Sequence, residues 1–577
     1  MAANTMGNLV QLFVAGKLSR REFVAGALAL GISAGAVDAV LASGGQADVP
    51  GGARAQGTPP VSGPTHTYPL TEETVTFRIA VPANPLVEDF ATNTFTAWYE
   101  EKTNVHLEWD IVPSQEAQTR LNVMLASGDY PDLLMNFSPS PALQQVYGAQ
   151  GVFLSMNDLI EQHGLHFKQV VEEYPRTLDV VTAADGGIYA LPMVTDCDHC
   201  SMWHKLWIYQ PWLDQLGLAM PQTTEEYAAA LRAFKEQDAN GNGQDDEIPL
   251  VSAVQSAATS LDSFFMNAFI ANPGGDADWL SVQDGAVTAV YATPQWQAGL
   301  TYLAGLYAEG LISPETFTQD QDQLRRLGNN PEAPIVGSVP GVSPAAYMDI
   351  NSLEGGRWTD YVTAPPLQGP DGVRFAAYDP YNPFRLGNFI ISSACENPEL
   401  AFQWADGLYE VETTMRSVFG VPGENWRWAE EGEVGIDGRP AIWKRLSSFA
   451  GVQNFCWRPT GPTYRPNWLR LGEAIDPAEA DHNLEAILFR ETKNNYAPYQ
   501  QPAEMVLPPL FFTEEQAQQV AEMGTTIKDY VEQTFASAII GQFDIDGQWE
   551  EYLATLEGMG LPQYLQIHQE VYDARNG

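Results

Sequence analysis

The sequence predicts an α/β protein built on doubly wound sheets, and three observations carry that prediction. Apolar residues alternate strictly at Val75, Phe77, Ile79 and Val81, and again at Val105, Leu107, Trp109 and Ile111, the period of a strand with one buried face. Between these runs, Phe90, Phe95 and Trp98 recur on one helical face from Leu86 to Lys102, so a crossover helix joins the strands and they must pair in parallel. Leu121, Met124 and Leu125 then mark a second helix, and the short run Leu133 to Met135 completes a βαβαβ start. Ligands of such sheets bind beyond the carboxyl ends of the strands. That rule points to the segments after Val81 and after Met135, with Asn136 and Ser138 as candidate contacts.

Further elements follow in order. Trp212 to Leu216 and Thr224 to Glu236 read as helices, the second opened by a capping box of Thr223 and Glu226, with Tyr227, Leu231 and Phe234 as its core face. Gln295 to Glu309 is a helix ended by Gly310, and Pro398 to Tyr409 starts with Pro and Glu in its first turn. Strands and helices alternate along much of the chain, which favours the α/β class throughout.

Composition narrows the partners. With 29 Lys and Arg against 73 Asp and Glu in 577 residues, the formal net charge is −44. Nucleic acid and anionic membranes reward clustered cations, so neither is expected as a partner. Such a surface stays soluble and repels anions at long range, and no second copy is called for, so a monomer is expected. The 45% hydrophobic content supports a large core in two or more domains. Four cysteines are too few for a disulfide-built scaffold.

The first 55 residues read as an export signal. Arg20 and Arg21 precede an Ala, Gly and Leu stretch from Val24 to Ala42, and Ala53-Arg54-Ala55 offers a small-x-small cleavage site. This resembles a twin-arginine signal; the alternative is a membrane anchor, which Asp38 and the many glycines disfavour. Residues 56–71, rich in Gly, Pro and Thr, read as a flexible leader. Gly31 to Gly35 matches an esterase Gly-x-Ser-x-Gly pattern by chance, inside the signal.

Six local phrases occur in register: LNVMLASGDYPD at 121–132, GVFLSMNDL at 151–159, DGGIYALP at 185–192, WLDQLGL at 212–218, GLISPE at 310–315 and SACENPE at 393–399. Together with WEEY at 549–552 and MGLPQY at 559–564, they resemble the extracellular solute-binding proteins of ABC importers, family 1, and most closely its large oligosaccharide- and alginate-binding subgroup. The resemblance implies a two-lobe periplasmic-binding-protein fold, each lobe a doubly wound sheet with helices on both faces, and a hinge that the chain crosses several times. It places crossings near Pro192, within 364–370 and after the helix ending near Val411. Lobe I is then 72–192 and 370–415, and lobe II is 193–369 and 416–577.

Asp238, Asn240, Asn242, Gln244 through its carbonyl, Asp246 and Glu247 set oxygen donors at alternate positions around glycines, the pattern of a calcium loop. Pro249 occupies the twelfth position, so the closing carboxylate must be Glu247. The resemblance supports a structural Ca2+ here; the alternative is a plain Asn, Gly and Asp surface turn.

Cys197-Asp-His199-Cys200 suggests zinc, with His204 as a further candidate, but the other thiols, Cys395 and Cys456, are isolated. Structural cysteines near the hinge, oxidised after export or not, fit better, and the pairing stays open. Sugars stack on aromatic rings and bond to planar polar groups. Trp203, Trp207, Tyr378, Asp379, Trp426 and Trp457 are therefore candidate ligand contacts, with Arg385 and Arg458 as partners for any carboxylate on the ligand; Arg427 and Arg465 are weighed with them against salt bridging. The expected function is a non-catalytic, exported receptor. It would deliver an oligosaccharide or related sugar, uncharged or acidic, to an ABC membrane permease. A secreted carbohydrate-active enzyme, or a receptor for a peptide or other small solute, is the alternative.

Overall fold

Strand alternation fixes two faces of one sheet. The computed structural model describes residues 65–254, 257–350, 356–447 and 451–576, which fall in one compact unit, Pro59–Gly577. The expected export signal and its chance esterase pattern lie outside the described residues. The first strand, β1 (Val75–Pro82), sends Phe77, Ile79 and Val81 into one hydrophobic cluster and Ala80 into another on the opposite face. Both faces are therefore covered, as a doubly wound sheet requires.

The crossover helix is shorter than its apolar pattern predicts. Instead of starting near Leu86, α1 spans Thr94–Thr103, because the Asn93 side chain accepts the Phe95 N–H at 3.0 Å and caps it there. It leads to β2 (Val105–Val112), in parallel register with β1 from Val75↔Val105 to Pro82↔Val112. Next come α2 (Ala117–Ser127) and β3 (Leu133–Met135), which pairs with the other side of β1. After α3 (His166–Glu173), β4 (Leu191–Thr195) closes the N-terminal part of this sheet.

The chain then builds a second sheet. It contains β5 (Lys205–Tyr209), β6 (Ile248–Leu250), β7 (Val336–Gly341) and β8 (Tyr361–Ala364), in the order β8-β5-β7-β6. Between β5 and β6, α4 (Thr224–Glu236) starts where Thr223 Oγ1 accepts the Glu226 N–H at 3.1 Å. Glu226 answers the Gln222 N–H at 2.7 Å, one residue upstream of the reciprocal bond of a full capping box.

Two later segments return to the first sheet. The strand β9 (Phe384–Ile391) inserts antiparallel between β3 and β4, and β10 (Tyr464–Arg465) adds beyond β4, giving the order β10-β4-β9-β3-β1-β2. Helix α5 (Pro398–Asp406) packs behind it, α6 (Leu484–Glu491) leads back to the second sheet, and α7 (Leu561–Asn576) ends the chain. The fold is α/β, with mixed rather than wholly parallel sheets. The third crossing corrects the sequence expectation. It follows Arg465, not Val411, because Tyr464 and Arg465 pair with Val194 and Thr195. Helices 549–558 and α7 pack Trp549, Tyr552, Leu556, Leu561 and Tyr564 into the core of the second sheet.

The leader is also corrected where it is described. His66 Nε2 lies 2.8 Å from Asp406 Oδ2, Leu70 N–H donates to Thr103 O at 3.0 Å, and Lys102 sits 4.2 Å over the Tyr68 ring. Residues 65–71 are thus docked on the first sheet's helices. Asp406 is fully buried and also accepts the N–H groups of Leu165, His166 and Phe167 at 3.1, 2.9 and 2.8 Å. Burial alone would raise its pKa, but the His66 bond and the His166 and Phe167 N–H groups outweigh burial and hold it below the ordinary aspartate value.

Asp406→Ala strands three N–H donors near the start of α3, so it should cost about 3 to 5 kcal/mol in denaturant unfolding. Because the folded-state pKa is the lower one, this stability is complete above the unfolded aspartate pKa and is lost as pH falls through the folded value. The acid limb of the wild-type stability profile should flatten in the variant.

Candidate functional site

Three crossings join the two sheets, and their backbones bind one another. In the first, 196–204, Asp196 N–H donates to Arg465 O at 2.9 Å, and Ser201 O accepts the Asp379 N–H of the second crossing at 2.8 Å. From the third, Arg470 Nε donates to Asp196 O at 3.2 Å and Asn467 Nδ2 to Asp198 Oδ1 at 2.6 Å. Further on, Tyr496 donates its hydroxyl proton to Ala364 O at 2.7 Å and accepts the Leu206 N–H at 3.0 Å, while Glu491 Oε2 accepts the Thr363 N–H at 3.1 Å.

Charges are buried at this junction. Lys205, at the start of β5, is fully buried with its ammonium on His199 O at 3.1 Å, on Met202 O, and 5.3 Å over the Tyr496 ring. Desolvation, opposed by Glu491, pulls its pKa down to about 7. Arg465 is lowered to about 9, first by desolvation and then by Arg470. Burial alone would raise Glu485, but Arg470, His199 and Arg465 bring it to about 2. Cys197 and Cys200 form a disulfide within the first crossing, which resolves the pairing; Cys395 and Cys456 are buried free thiols.

A cavity of about 350 Å³ opens against these crossings. Its wall includes Trp203 from the first crossing, Tyr378, Asp379 and Tyr381 from the second, Phe512, and His568 of α7. Asp379 accepts the Tyr381 N–H at 2.8 Å, yet burial dominates and raises its pKa. His568 Nδ1 lies 2.8 Å from Tyr564 O; a carbonyl only accepts, so Nδ1 carries the proton and Nε2 is an acceptor. The wall holds the carboxylates Asp278 and Asp379 and, among its described residues, no Lys or Arg. Aromatic faces with scattered hydrogen-bonding groups suit a hydroxylated, uncharged solute.

The sequence candidates separate by burial. Trp203, Tyr378 and Asp379 share the cavity wall. Trp207, Trp426 and Trp457 do not reach it: each is fully buried, with its indole N–H donated to Gly341 O at 2.9 Å, Gly420 O at 2.8 Å and Thr96 Oγ1 at 2.7 Å. They are core residues in this structure. Arg458 is likewise buried, 6.0 Å from the Phe455 ring, whereas Arg385 is exposed on β9. Arg427 is taken by a bidentate pair with Glu433 at 2.6 and 2.7 Å. Asn136 and Ser138, at the carboxyl end of β3, adopt left-handed φ of 62° and 48°, and their N–H groups bond to Asn388 O and Gly387 O at 2.6 and 3.1 Å. Sequence reasoning missed His568 and Phe512; the Pro508-Pro509 pair beside them was the available sign of a fixed, unpaired segment.

The loop 238–247 closes on itself. Gly241 and Gly243 take φ of 73° and 75°, which turns the side chains inward. Asp238 Oδ2 accepts the Gly243 N–H at 2.9 Å, Glu247 Oε1 accepts the Asn240 N–H at 3.2 Å, and the amides of Asn240 and Asn242 face Asp246 at 2.7 and 3.1 Å.

The sequence profile of bacterial extracellular solute-binding proteins matches residues 82–415, more than half of the chain. The chain belongs to this family. It is 27% identical over 526 residues to the fructooligosaccharide ABC transporter substrate-binding protein FusA of Streptococcus pneumoniae serotype 4, covering 88% of this chain and 91% of FusA. An EF-hand mutant of S. pneumoniae FusA in complex with fructo-nystose has the same fold at a TM-score of 0.69 and 25% identity, over 87% of this chain and 99% of that one. An extracellular solute-binding protein of Bifidobacterium longum subsp. infantis matches in fold at a TM-score of 0.73 and 21% identity, over 87% and 99% of the two chains. This solute-binding protein is therefore extracellular, with the two-lobe α/β fold of its relatives. Among the described residues, no helix is long and apolar enough to cross a membrane.

His204, beside the cavity, offers a measurable consequence. Its Nε2 is buried without a hydrogen-bond partner among the described residues, and desolvation, then Lys205, lowers its pKa to about 3. The unfolded chain takes up this proton first, so stability is complete above about pH 6.5 and falls as pH drops toward 3. His204→Phe should remove about 2 kcal/mol of the loss between pH 7 and 5, read from urea midpoints.

Proposed function

We propose that the protein captures an oligosaccharide between its two lobes and presents it to the membrane permease of an ABC importer, after export by the twin-arginine route. The observation that supports this most is the cavity where Trp203, Tyr378 and Asp379 meet His568 at the crossings. Similarity to FusA along most of both chains supports a carbohydrate as the solute. The lobes follow the sheets: one carries 72–195, 384–415 and the return through Arg465, and the other carries most of the remainder. Binding of solute shifts an open–closed equilibrium that the permease reads.

The wall composition favours an uncharged oligosaccharide over an acidic one, since among the described residues two carboxylates and no Lys or Arg line it. Asn136, Ser138 and Arg385 extend the contact surface along the first sheet. The protein works without turnover. In a thermal-shift screen of neutral and acidic oligosaccharides, neutral fructo-oligosaccharides should raise the melting temperature. Trp203→Ala and Tyr378→Ala should each weaken binding at least about tenfold, the scale of a lost aromatic contact. Shortened glycan chains after incubation would overturn the receptor reading.

The loop at 238–247 is a structural calcium site. Asp238, Asn240, Asn242, Asp246, Glu247 and the Gln244 carbonyl supply oxygens only, the donor chemistry that calcium selects. The amides of Asn240 and Asn242 converge on Asp246, and this inward-facing carboxylate supports a cation at the centre of the loop. An EF-hand in FusA supports the assignment. Chelation should lower the melting temperature of the wild type and leave Asp246→Ala unmoved. An equal response in both proteins would overturn it.

A further inference from the structure

We infer that reduction of the Cys197–Cys200 disulfide creates a site for one soft divalent cation, such as Zn2+ or Cd2+, held by Cys197, His199, Cys200 and Glu485. The ligand atoms of Cys197, His199 and Cys200 lie within 4.8 Å of one another. His199 Nε2 stands 3.3 Å from Cys197 Sγ and 3.9 Å from Glu485 Oε2, so one ring nitrogen faces both a sulfur and a carboxylate. In a tetrahedral site with a metal–sulfur bond of about 2.3 Å and a metal–nitrogen bond of about 2.0 Å, neighbouring ligand atoms sit roughly 3.5 Å apart. The sulfur–nitrogen and nitrogen–oxygen spacings already have that size. The two sulfurs, bonded to each other in the oxidised protein, must separate.

The surroundings suit such a site. His199 and Cys197 are largely buried, which excludes competing water, and Lys205 fixes the backbone by binding His199 O at 3.1 Å. Two thiolates and one carboxylate around a dication leave a single negative charge. Arg470, already 3.0 Å from Glu485 Oε2, offsets it. This site differs in chemistry from the oxygen-only loop at 238–247, because sulfur selects thiophilic ions. Its ligands come from two crossings: the cysteines and His199 from the first, and Glu485 from α6 after the third. The cation therefore joins two of the three connections between the sheets.

The chemistry balances. A dithiol reductant gives two electrons and two protons to the S–S bond, which yields two protein thiols and the reductant's own disulfide. Cation binding then releases the two thiol protons to solvent.

The test is a Co2+ titration of the full chain, reduced with dithiothreitol and freed of it without air, followed by absorption. Reduced wild type should give one equivalent of thiolate-to-cobalt charge transfer with the strong visible bands of a tetrahedral site. Oxidised wild type, which needs no mutation and is folded, should give none. Cys200→Ser should abolish the signal, Asp246→Ala should keep it, and His199→Ala and Glu485→Gln should each weaken binding roughly tenfold or more. No charge transfer in the reduced protein, or a signal that survives Cys197→Ser with Cys200→Ser and so arises from Cys395 or Cys456, overturns the inference. Unchanged affinity in Glu485→Gln overturns the fourth ligand.

Discussion

A chain that passes between two sheets must leave both ladders, and every backbone group it exposes on the way needs a partner. Here the crossings supply those partners to each other. The carbonyl of Ser201 takes the Asp379 N–H, that of Ala364 takes the Tyr496 hydroxyl, and those of His199 and Met202 take the Lys205 ammonium. Bonds within a crossing add to these, as where the Cys200 and Ser201 N–H groups meet Cys197 O, but each crossing is also tied to another. Movement of one sheet against the other therefore engages all three, which is the property a solute-driven closure needs.

This arrangement explains why an acidic chain concentrates cations in one place. Overall the charge is −44, yet Lys205, Arg465 and Arg470 converge at the junction with Glu485 and Glu491. Ammonium and guanidinium groups carry several donors each, so Lys205 serves the carbonyls of His199 and Met202, and Arg470 serves both the Asp196 carbonyl and Glu485. The cost is desolvation, visible in the depressed values of Lys205 and His204. Among the described residues the adjoining cavity wall has no Lys or Arg, while the outer surface repels anions at long range.

Much of the fold was legible because period and capping are local. Strands β1 to β3, the Thr223 cap and the start at Pro398 follow from residues a few positions apart. What was not legible depends on distant partners. Residues 56–71 are rich in Gly, Pro and Thr and read as a leader, but His66 finds Asp406, 340 residues away, and residues 65–71 dock. Tyr464-Arg465 is too short for any periodic signal, and its place in the first sheet comes only from pairing with Val194 and Thr195. His568 reaches the cavity because α7 packs against the hairpin at 280–289, a contact with no trace in local sequence.

The tryptophans show where the line falls. Trp207 sits inside β5, whose five residues are all buried, so its ring has only protein to touch and its N–H goes to a neighbouring strand. Trp426 is paired in a two-stranded antiparallel ladder with 443–445, and Trp457 lies under α1. Trp203 is four residues from Trp207, yet it precedes the strand and lines the cavity. Composition could not separate the two, since one ends the crossing and the other lies in the strand directly after it. Ladder pairing does: a paired backbone points its side chains into a packed face, and an unpaired crossing leaves a ring free to meet a solute. In this fold the aromatic residues to weigh for binding are those on unpaired backbone between the sheets, and Tyr378 and Tyr381 share that position with Trp203.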